Sequence, residues 1–501
     1  MELIVKVNSF LNGIVMGWPG MILLVGTGVY YTIRCGGIQF KWFGYIMKNT
    51  IGKIFEKKEA GEGAVTPFQA VCTALAATVG TGNIAGVTGA IALGGPGAVF
   101  WMWISALFGM CTKFAEVTLA IHFRERNDKG DWVGGPMYYI SKGLGKNWKW
   151  LGSLFALFGM LAAFGIGNMT QINSIVTSIS GTINSFTPIN VNTANLIIGI
   201  IVAIFCAIVL IGGLKRIGQV TEKLVPFMAV IYILSALIIF FAHIGNIGNV
   251  LRSIFVGAFT PSAVVGGAAG ITISAAVKRG VGRGVFSNEA GLGSSVMVHS
   301  SSNVKEPIRQ GMWGIFEVFA DTIIVCTLTA ITILGSGAID LTTGEAIPSV
   351  LEEIGGSSAL MSYAFGNVFG VFGRGFIAIA ILLFAYSTVL GWSHYGATAC
   401  RYLFGEKLGD VAVWVYRVVF VLIVLAGSLM EAQLAWDISD TFNGLMMIPN
   451  LIGVLVLSPM VAKCTKNYVD RHMKNKDVEP MLSVWDDIQA EHAAAVKEGA
   501  E

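Results

Sequence analysis

The chain has 501 residues, of which 54% are hydrophobic and 13% are charged, with a mean hydropathy of +0.70. Soluble domains carry about 25% charged residues, so this composition excludes an ordinary soluble protein and describes an all-α polytopic membrane protein. The net charge of +3 gives no basis for a nucleic-acid partner, and the seven scattered cysteines show no CxxC or His/Cys spacing for metal or redox chemistry.

Apolar segments of about 20 residues can cross a bilayer. In chain order they fall at 14–33, 66–93, 98–121, 151–179, 194–212, 219–243, 261–283, 309–334, 370–394, 411–430 and 440–462. Eleven transmembrane helices are expected. The first has neither a strong basic n-region nor a small-residue cleavage site, so it reads as a retained span. Residues 41–63 fit either an amphipathic helix lying on the membrane surface or a solvated connector. After Lys463 the chain turns polar, with room for one short helix before Glu501.

Alternate connections, at 31–65, 122–150, 213–223, 278–309, 395–410 and 463–501, hold 28 of the 33 Lys and Arg residues. The long connection 335–373 has none, but carries Asp340, Glu345, Glu352 and Glu353. Basic residues gather on the cytoplasmic side of membrane proteins. The expected topology in the cell membrane is therefore amino terminus outside and carboxyl terminus inside.

Within the second span lies Ala77-Thr78-Val79-Gly80-Thr81-Gly82-Asn83-Ile84-Ala85-Gly86. Its three glycines weaken the helix by roughly 1 kcal/mol each, and its polar side chains fall at mid-membrane depth. Backbone released there survives only if it is buried in protein or lines a watery cavity. Setting the first helix aside leaves ten, which divide into five plus five, and an odd number inverts the second set. Expected units are 1–65, 66–243, 261–463 and a tail 464–501. Both sets open with a Gly-rich helix: Gly80-Thr81-Gly82 in one, Gly266-Gly267-Ala268-Ala269-Gly270 followed by Thr272-Ile273-Ser274 in the other. Matched interruptions are what an inverted-repeat transporter predicts, although small residues also serve close helix packing.

Three segments carry a resemblance. Gly94-Gly95-Pro96-Gly97-Ala98-Val99-Phe100-Trp101-Met102-Trp103-Ile104-Ser105-Ala106-Leu107-Phe108-Gly109 closely resembles the signature of the alanine/glycine:cation symporter family. Ala77 to Gly86, and Arg283-Gly284-Val285-Phe286-Ser287-Asn288-Glu289-Ala290-Gly291-Leu292-Gly293, look like the same family. The resemblance implies a LeuT-like five-plus-five core with two broken helices. It also implies sodium-coupled uptake of alanine or glycine by alternating access, with Na⁺ as coupling ion and no organic cofactor. A monomer in the lipid bilayer is the expected working unit.

A broken helix exposes amides and a positive dipole end on its second half, so Gly80, Thr81 and Gly82 are candidates for a substrate carboxylate. Carbonyls of Ala77, Thr78 and Val79, with Asn83, suit Na⁺. By analogy with LeuT-like carriers, Thr78 and Asn83 would hold one ion beside the substrate, and Ser387 and Thr388 would help hold another. Ser and Thr also bond back to their own helix. Asn168 and Gln171 share a helix face with Phe164 one turn earlier, and could accept the ammonium or serve as interhelical glue. Thr272, Ile273 and Ser274 are further acceptor candidates, and Trp392 with Phe164 could cap the pocket or simply pack. Intramembrane charges are functional suspects. Lys113 and Glu116 suggest an ion pair, while Glu317 and Asp321 fit a cation or proton relay, or pairing with Arg279, Arg283 or Arg374.

Gly80-x-Gly82-x-x-Ala85 imitates a dinucleotide fingerprint, but that motif needs a βαβ unit and here sits in a membrane span. There is no Walker A sequence, and the six histidines are scattered, which argues against an ATP-driven pump or an enzyme. A channel gives no reason for matched interruptions. A proton-coupled or exchange carrier for another small amino acid, using Glu317 or Asp321, stays open as the alternative.

Overall fold

A computed structural model describes residues 2–54, 63–260, 272–342 and 358–499. Among them eight helices are long and apolar enough to cross a membrane, or ten if each of two bent pairs counts as one span. These ten correspond to ten of the eleven expected spans. The remaining one is represented by Ile273–Asn288, and its predicted Gly266–Gly270 interruption lies outside the described residues.

Boundaries follow local chemistry. The second span starts where Thr66 and Gln69 form a reciprocal capping box ahead of Pro67, which satisfies two free amides at once. It runs Pro67–Thr78, stops, and resumes as Gly82–Gly94 at an angle of 51°. Three spans contain wide π-helical turns: Gly82–Gly86, Gly165–Met169 and Phe319–Cys326. Such turns are rare and gather at functional sites. Here they carry Asn83, Asn168 and the adjacent pair Asp321 and Thr322.

Helix Gly97–His122 is 78% buried over its apolar window and Val371–Gly405 is 67% buried, whereas Val191–Ile211 and Arg216–Ala242 are only 28% buried. The first two form the interior of the bundle, and the apolar outer faces of the other two suit lipid. The first helix begins earlier than expected: Glu2–Val15 turns at Gly17 into Trp18–Arg34. The 41–63 connector is short helices, Ile38–Lys41 and Phe43–Asn49, with Ile46 and Thr50 buried, so it packs rather than lying free up to residue 54. A small hairpin pairs Glu125–Arg126 with Trp132–Val133.

The tail helix is present as Asp486–Lys497. The Val484 amide donates to the His122 carbonyl at 3.0 Å, Trp485 Nε1 donates to the Arg124 carbonyl at 3.0 Å, and Arg126 pairs with Glu491 at 3.0 Å. The hairpin and the tail therefore occupy one face of the bundle.

One expectation about charge needs correcting. Lys278, Arg279 and Arg283 were counted with the connection 278–309 on the tail face. Instead they line a pocket with Asn12, Met16 and Asp440, at the end of the bundle that carries the amino-terminal bend. Lys278 also lies over the Trp18 ring, 5.8 Å from its centroid. The physical reason is that helix Ile273–Asn288 continues inward past these residues, so they mark its start rather than a loop. Without these three, the same connections still hold 25 of the 33 Lys and Arg residues.

Candidate functional site

The helix that opens the second set unwinds after Asn288, a break beyond the one expected at Gly266–Gly270. Ile273–Asn288 ends with Glu289 in the left-handed region at φ 56°, and a turn follows before Val296–His299. The break thus falls in Ser287-Asn288-Glu289-Ala290-Gly291-Leu292-Gly293, and this segment meets the first break directly: a Cβ on Gly82 would lie 3.3 Å from the Ser287 Cα and from the Phe286 ring. Thr272, Ile273 and Ser274 are not brought to Gly80. Thr272 caps its helix by accepting from the Ala275 amide at 3.1 Å, and Thr272 and Ser274 line the charged pocket near Asn12.

At the first break the exposed amides are already engaged. The Gly80 N–H donates to Asn83 Oδ1 at 2.9 Å, and the Thr81 N–H donates to Gln171 Oε1 at 3.2 Å. Amide side-chain oxygens here occupy positions that a carboxylate oxygen could take. Gln171 in turn donates Nε2 to the Ile166 carbonyl at 2.8 Å, across the π turn. Thr81 Oγ1 and Asn168 Oδ1 are buried with no hydrogen-bond partner, and unsatisfied buried polar atoms call for an explanation such as a ligand or ion.

Thr388 and Ser387 separate clearly. Thr388 Oγ1 donates to the Ala76 carbonyl at 3.1 Å, and a Cβ on Gly80 would fall 2.3 Å from that hydroxyl oxygen. Only glycine at position 80 lets the two helices meet this closely. Thr388 Oγ1 also lies 3.1 Å from the Phe384 carbonyl of its own helix. Ser387 Oγ bonds back to the same carbonyl at 2.8 Å and faces Met228 rather than the first broken helix. Thr78 also bonds back, to Ala74 at 3.2 Å, and Val79 closes the helix on the Leu75 carbonyl.

Asp321 joins the two breaks. Its Oδ1 accepts from Asn83 Nδ2 at 2.6 Å, and its Oδ2 accepts from Ser287 at 2.8 Å and Thr322 at 2.7 Å. Asn288 Nδ2 extends the network to Thr322 at 3.0 Å. Among the described residues every hydrogen-bond partner of this buried carboxylate is neutral. Oxygen-rich surroundings of this kind suit a hard cation or a proton.

The other intramembrane charges are paired differently from the expectation. Lys113 does not bridge to Glu116. It donates to Ser295 at 2.7 Å and pairs with Glu317 at 3.3 Å, while His299 Nε2 lies 2.9 Å from the other Glu317 oxygen. Glu116 instead accepts from Asn450 at 2.5 Å and from the Gly291 amide at 3.3 Å, holding the second break in place. Arg283 forms a two-toothed pair with Asp440, at 3.0 and 3.2 Å, and lies 4.4 Å above the Trp436 ring. Phe286 packs on the same ring at 4.7 Å. This seals the amino-terminal end above the breaks.

Trp392 is anchored rather than free. Its Nε1 donates to Glu289 at 2.8 Å, and its body fills the space over Gly167, where a Cβ would come within 2.2 Å. Phe164 stacks on Tyr416 at 5.2 Å, and Asn168 Nδ2 donates to the Phe420 carbonyl at 2.8 Å. Residue-level reading missed Ser287, Glu289, Thr322, His299 and Asn450. Only Ser287 and Glu289 had a signal, since both lie in the Arg283–Gly293 motif.

On the opposite end, a cavity of about 900 Å³ opens to the hairpin-and-tail face. It reaches Gln69 and Thr73 on the first half-helix, one turn short of Ala77. Two helices unwound against one another, sealed at one end and approached by a polar vestibule from the other, define a secondary transporter. The chain is a multi-pass membrane carrier and not an enzyme.

Comparison with known proteins places it. The model of the "Sodium:alanine symporter family" matches residues 1–482, and the chain belongs to that family of sodium-coupled amino-acid transporters. It is 43% identical over 469 residues to "Sodium/alanine symporter AgcS" of Methanococcus maripaludis, covering 93% of this chain and 97% of that one. It is 36% identical over 458 residues to "Probable sodium/glutamine symporter GlnT" of Bacillus subtilis, covering 91% and 89%. The fold is similar to that of MhsT in complex with L-phenylalanine, with a TM-score of 0.55, 14% identity and coverage of 81% and 99%. It is also similar to a Na⁺-coupled sialic acid symporter, with a TM-score of 0.52, 13% identity and coverage of 98% of both chains. These are LeuT-fold transporters, and the likeness bears on the fold.

Proposed function

We propose that the protein is a symporter that uses Na⁺ to drive uptake of small amino acids, alanine and glycine foremost. The observation that carries this reading is the close meeting of Thr388 with the Ala76 carbonyl beside Gly80. Hydroxyl and carbonyl oxygens from two helices converge there, beside amides able to receive a carboxylate. The 43% identity to a protein named as a sodium/alanine symporter supports alanine over glutamine.

In this reading Na⁺ sits between the Ala76–Val79 carbonyls and Thr388. The substrate carboxylate displaces Asn83 Oδ1 and Gln171 Oε1 from the Gly80 and Thr81 amides, and Asn168 Oδ1 is an acceptor for the ammonium. Binding of the ion stiffens the break that receives the carboxylate, so the two ligands are coupled through one free energy. The sealed Arg283–Asp440 end faces outside and the vestibule faces the cytoplasm, in line with the basic connections on the tail side. Radiolabelled alanine uptake into proteoliposomes tests the claim: uptake should rise steeply with an inward Na⁺ gradient, and indifference to that gradient would sink it.

One observation favours a second reading, in which a proton moves with the substrate. Asp321 is a buried carboxylate held by neutral donors. Under that reading, uptake without Na⁺ follows an inward proton gradient and is lost in Asp321→Asn.

A further inference from the structure

Beyond the central site, the basic side chain of Arg417 inside the membrane has no acid to neutralise it among the described residues. Arg417 lies ten residues into the span Lys407–Ser428, about 15 Å from its start at 1.5 Å per residue. Lys113 is paired with Glu317 and Arg283 with Asp440. Arg417 makes no hydrogen bond or ion pair among the described residues, and its side chain is part-buried in the wall of the 900 Å³ vestibule. An unpaired guanidinium at that depth is expensive unless it faces water or a charged visitor.

Its surroundings favour an anion. Arg401 and His394 line the same vestibule and lie within electrostatic reach of Arg417. Lys129, at the mouth, and Arg401 share a single carboxylate, Asp410. The wall therefore stays net positive even with that acid counted, and with Asp131 at the rim balancing only part of it. A cleft lined by one sign of charge raises the local concentration of the opposite ion. The planar fork of a guanidinium matches a carboxylate with two parallel hydrogen bonds. Across the cavity stands Thr73, one turn below Ala77, so a molecule leaving the break passes this wall.

We propose that Arg417 is the carboxylate-binding residue of a second, transient amino-acid site in the vestibule. The proposal rests on the symport reading. Arg417 takes the substrate carboxylate after it leaves the Gly80–Gly82 amides, and His394 and Thr398, whose Nε2 and Oγ1 are 3.5 Å apart, offer acceptors to the ammonium. Arg417 lowers the barrier to release and, in reverse, captures substrate from that side.

The experiment uses membrane vesicles of both orientations, sorted by whether protease in the bath reaches the C-terminal tail. Sodium-dependent flux of radiolabelled alanine is measured for the wild type, Arg417→Gln and Arg417→Lys. Arg417→Gln should raise the half-saturating alanine concentration about tenfold, or about 1.4 kcal/mol, where the tail faces the bath. It should change it less than about twofold in the opposite orientation, and Arg417→Lys should recover most of the loss. Equal changes in both orientations, or none in either, overturn the proposal, as does a defect that appears only in vesicles of anionic lipid, which would make Arg417 a lipid anchor. If Arg417→Gln does not fold, competition on the wild type decides. Propionate on the tail side should compete with alanine while alaninamide does not, and failure of propionate overturns the proposal. A wild type with no sodium-dependent alanine flux in either orientation overturns the symport reading itself, and this inference with it, before any variant is compared.

Discussion

Thr388 and Ser387 are adjacent hydroxyls on one buried helix, and their environments differ because successive helical residues point about 100° apart. Both reach the Phe384 carbonyl of their own helix, but Thr388 also touches the Ala76 carbonyl of the first broken helix, whereas Ser387 faces Met228. Thr388→Ala should raise the Na⁺ concentration for half-maximal uptake several-fold, while Ser387→Ala leaves it within about twofold, read from sodium titrations in proteoliposomes. An unchanged titration in Thr388→Ala would remove that residue from the ion path. Gly167 makes a second residue-scale prediction. A Cβ there would lie 2.2 Å from that of Trp392, and overpacking of this kind typically costs about 1–3 kcal/mol. Gly167→Ala should lower the melting temperature in detergent by several degrees, and an unshifted melting curve would mean the Trp392 ring has room to move.

Among the elements, the tail is held through the hairpin. Trp485 bonds to Arg124, Glu491 pairs with Arg126, and the His492 ring lies 5.8 Å from Trp132. Burial, followed by the nearby charges of Arg124, Lys305 and Arg126, holds the His492 pKa down to about 4. Released, the ring would titrate near 6.5. Above pH 6.5 it is neutral in both states and docking is unaffected. As pH falls from about 6.5 towards 4, the released tail binds a proton that the docked tail refuses, so docking weakens. Protection of the amides across 484–497, taken relative to their intrinsic exchange rate at each pH, should fall between pH 7.5 and 5, and His492→Gln should abolish that fall. Glu306 works on the same face. Burial opposes its charge, but the hydrogen bond from His472 and the charges of His472, Arg309 and Arg471 hold it down to about 2. Its contribution is therefore present above about pH 4.5 and fades only as pH falls towards 2, outside the range that releases the tail.

At the scale of the whole molecule, the amino-terminal end is closed by Arg283, Asp440, Phe286 and Trp436, while the tail face is open to Thr73. Alternating access requires the opposite arrangement to be within a few kcal/mol. Breaking a partly buried two-toothed pair removes closure energy from one state. Asp440→Asn should favour opening of the sealed end, seen as faster amide exchange in Trp436–Thr441 without a matching change around Gln69. One positive charge crossing 100 mV supplies about 2.3 kcal/mol, enough to drive more than a tenfold concentration of substrate against its gradient.

Composition and hydropathy by themselves settled that the chain is a helical membrane protein, because a span must satisfy its own backbone and must be apolar outside. The break at Gly80–Gly82 was legible for a related reason: glycines and polar side chains have no local purpose in a continuous span. Gly266–Gly270, whose own expected interruption lies outside the described residues, carries more glycine, so the break at Ser287–Gly293 was not legible. What unwinds the chain there is tertiary, the grip of Glu116, Asn450 and Trp392 on the turn. Pairing of the buried charges was likewise beyond the sequence. Lys113 shares a helix face with Glu116, yet it pairs with Glu317 on a distant span and donates to Ser295, while Glu116 is taken up by Asn450 and the Gly291 amide. Only the packed bundle decides which carboxylate meets which cation, and among the described residues it leaves Arg417 facing the vestibule without one.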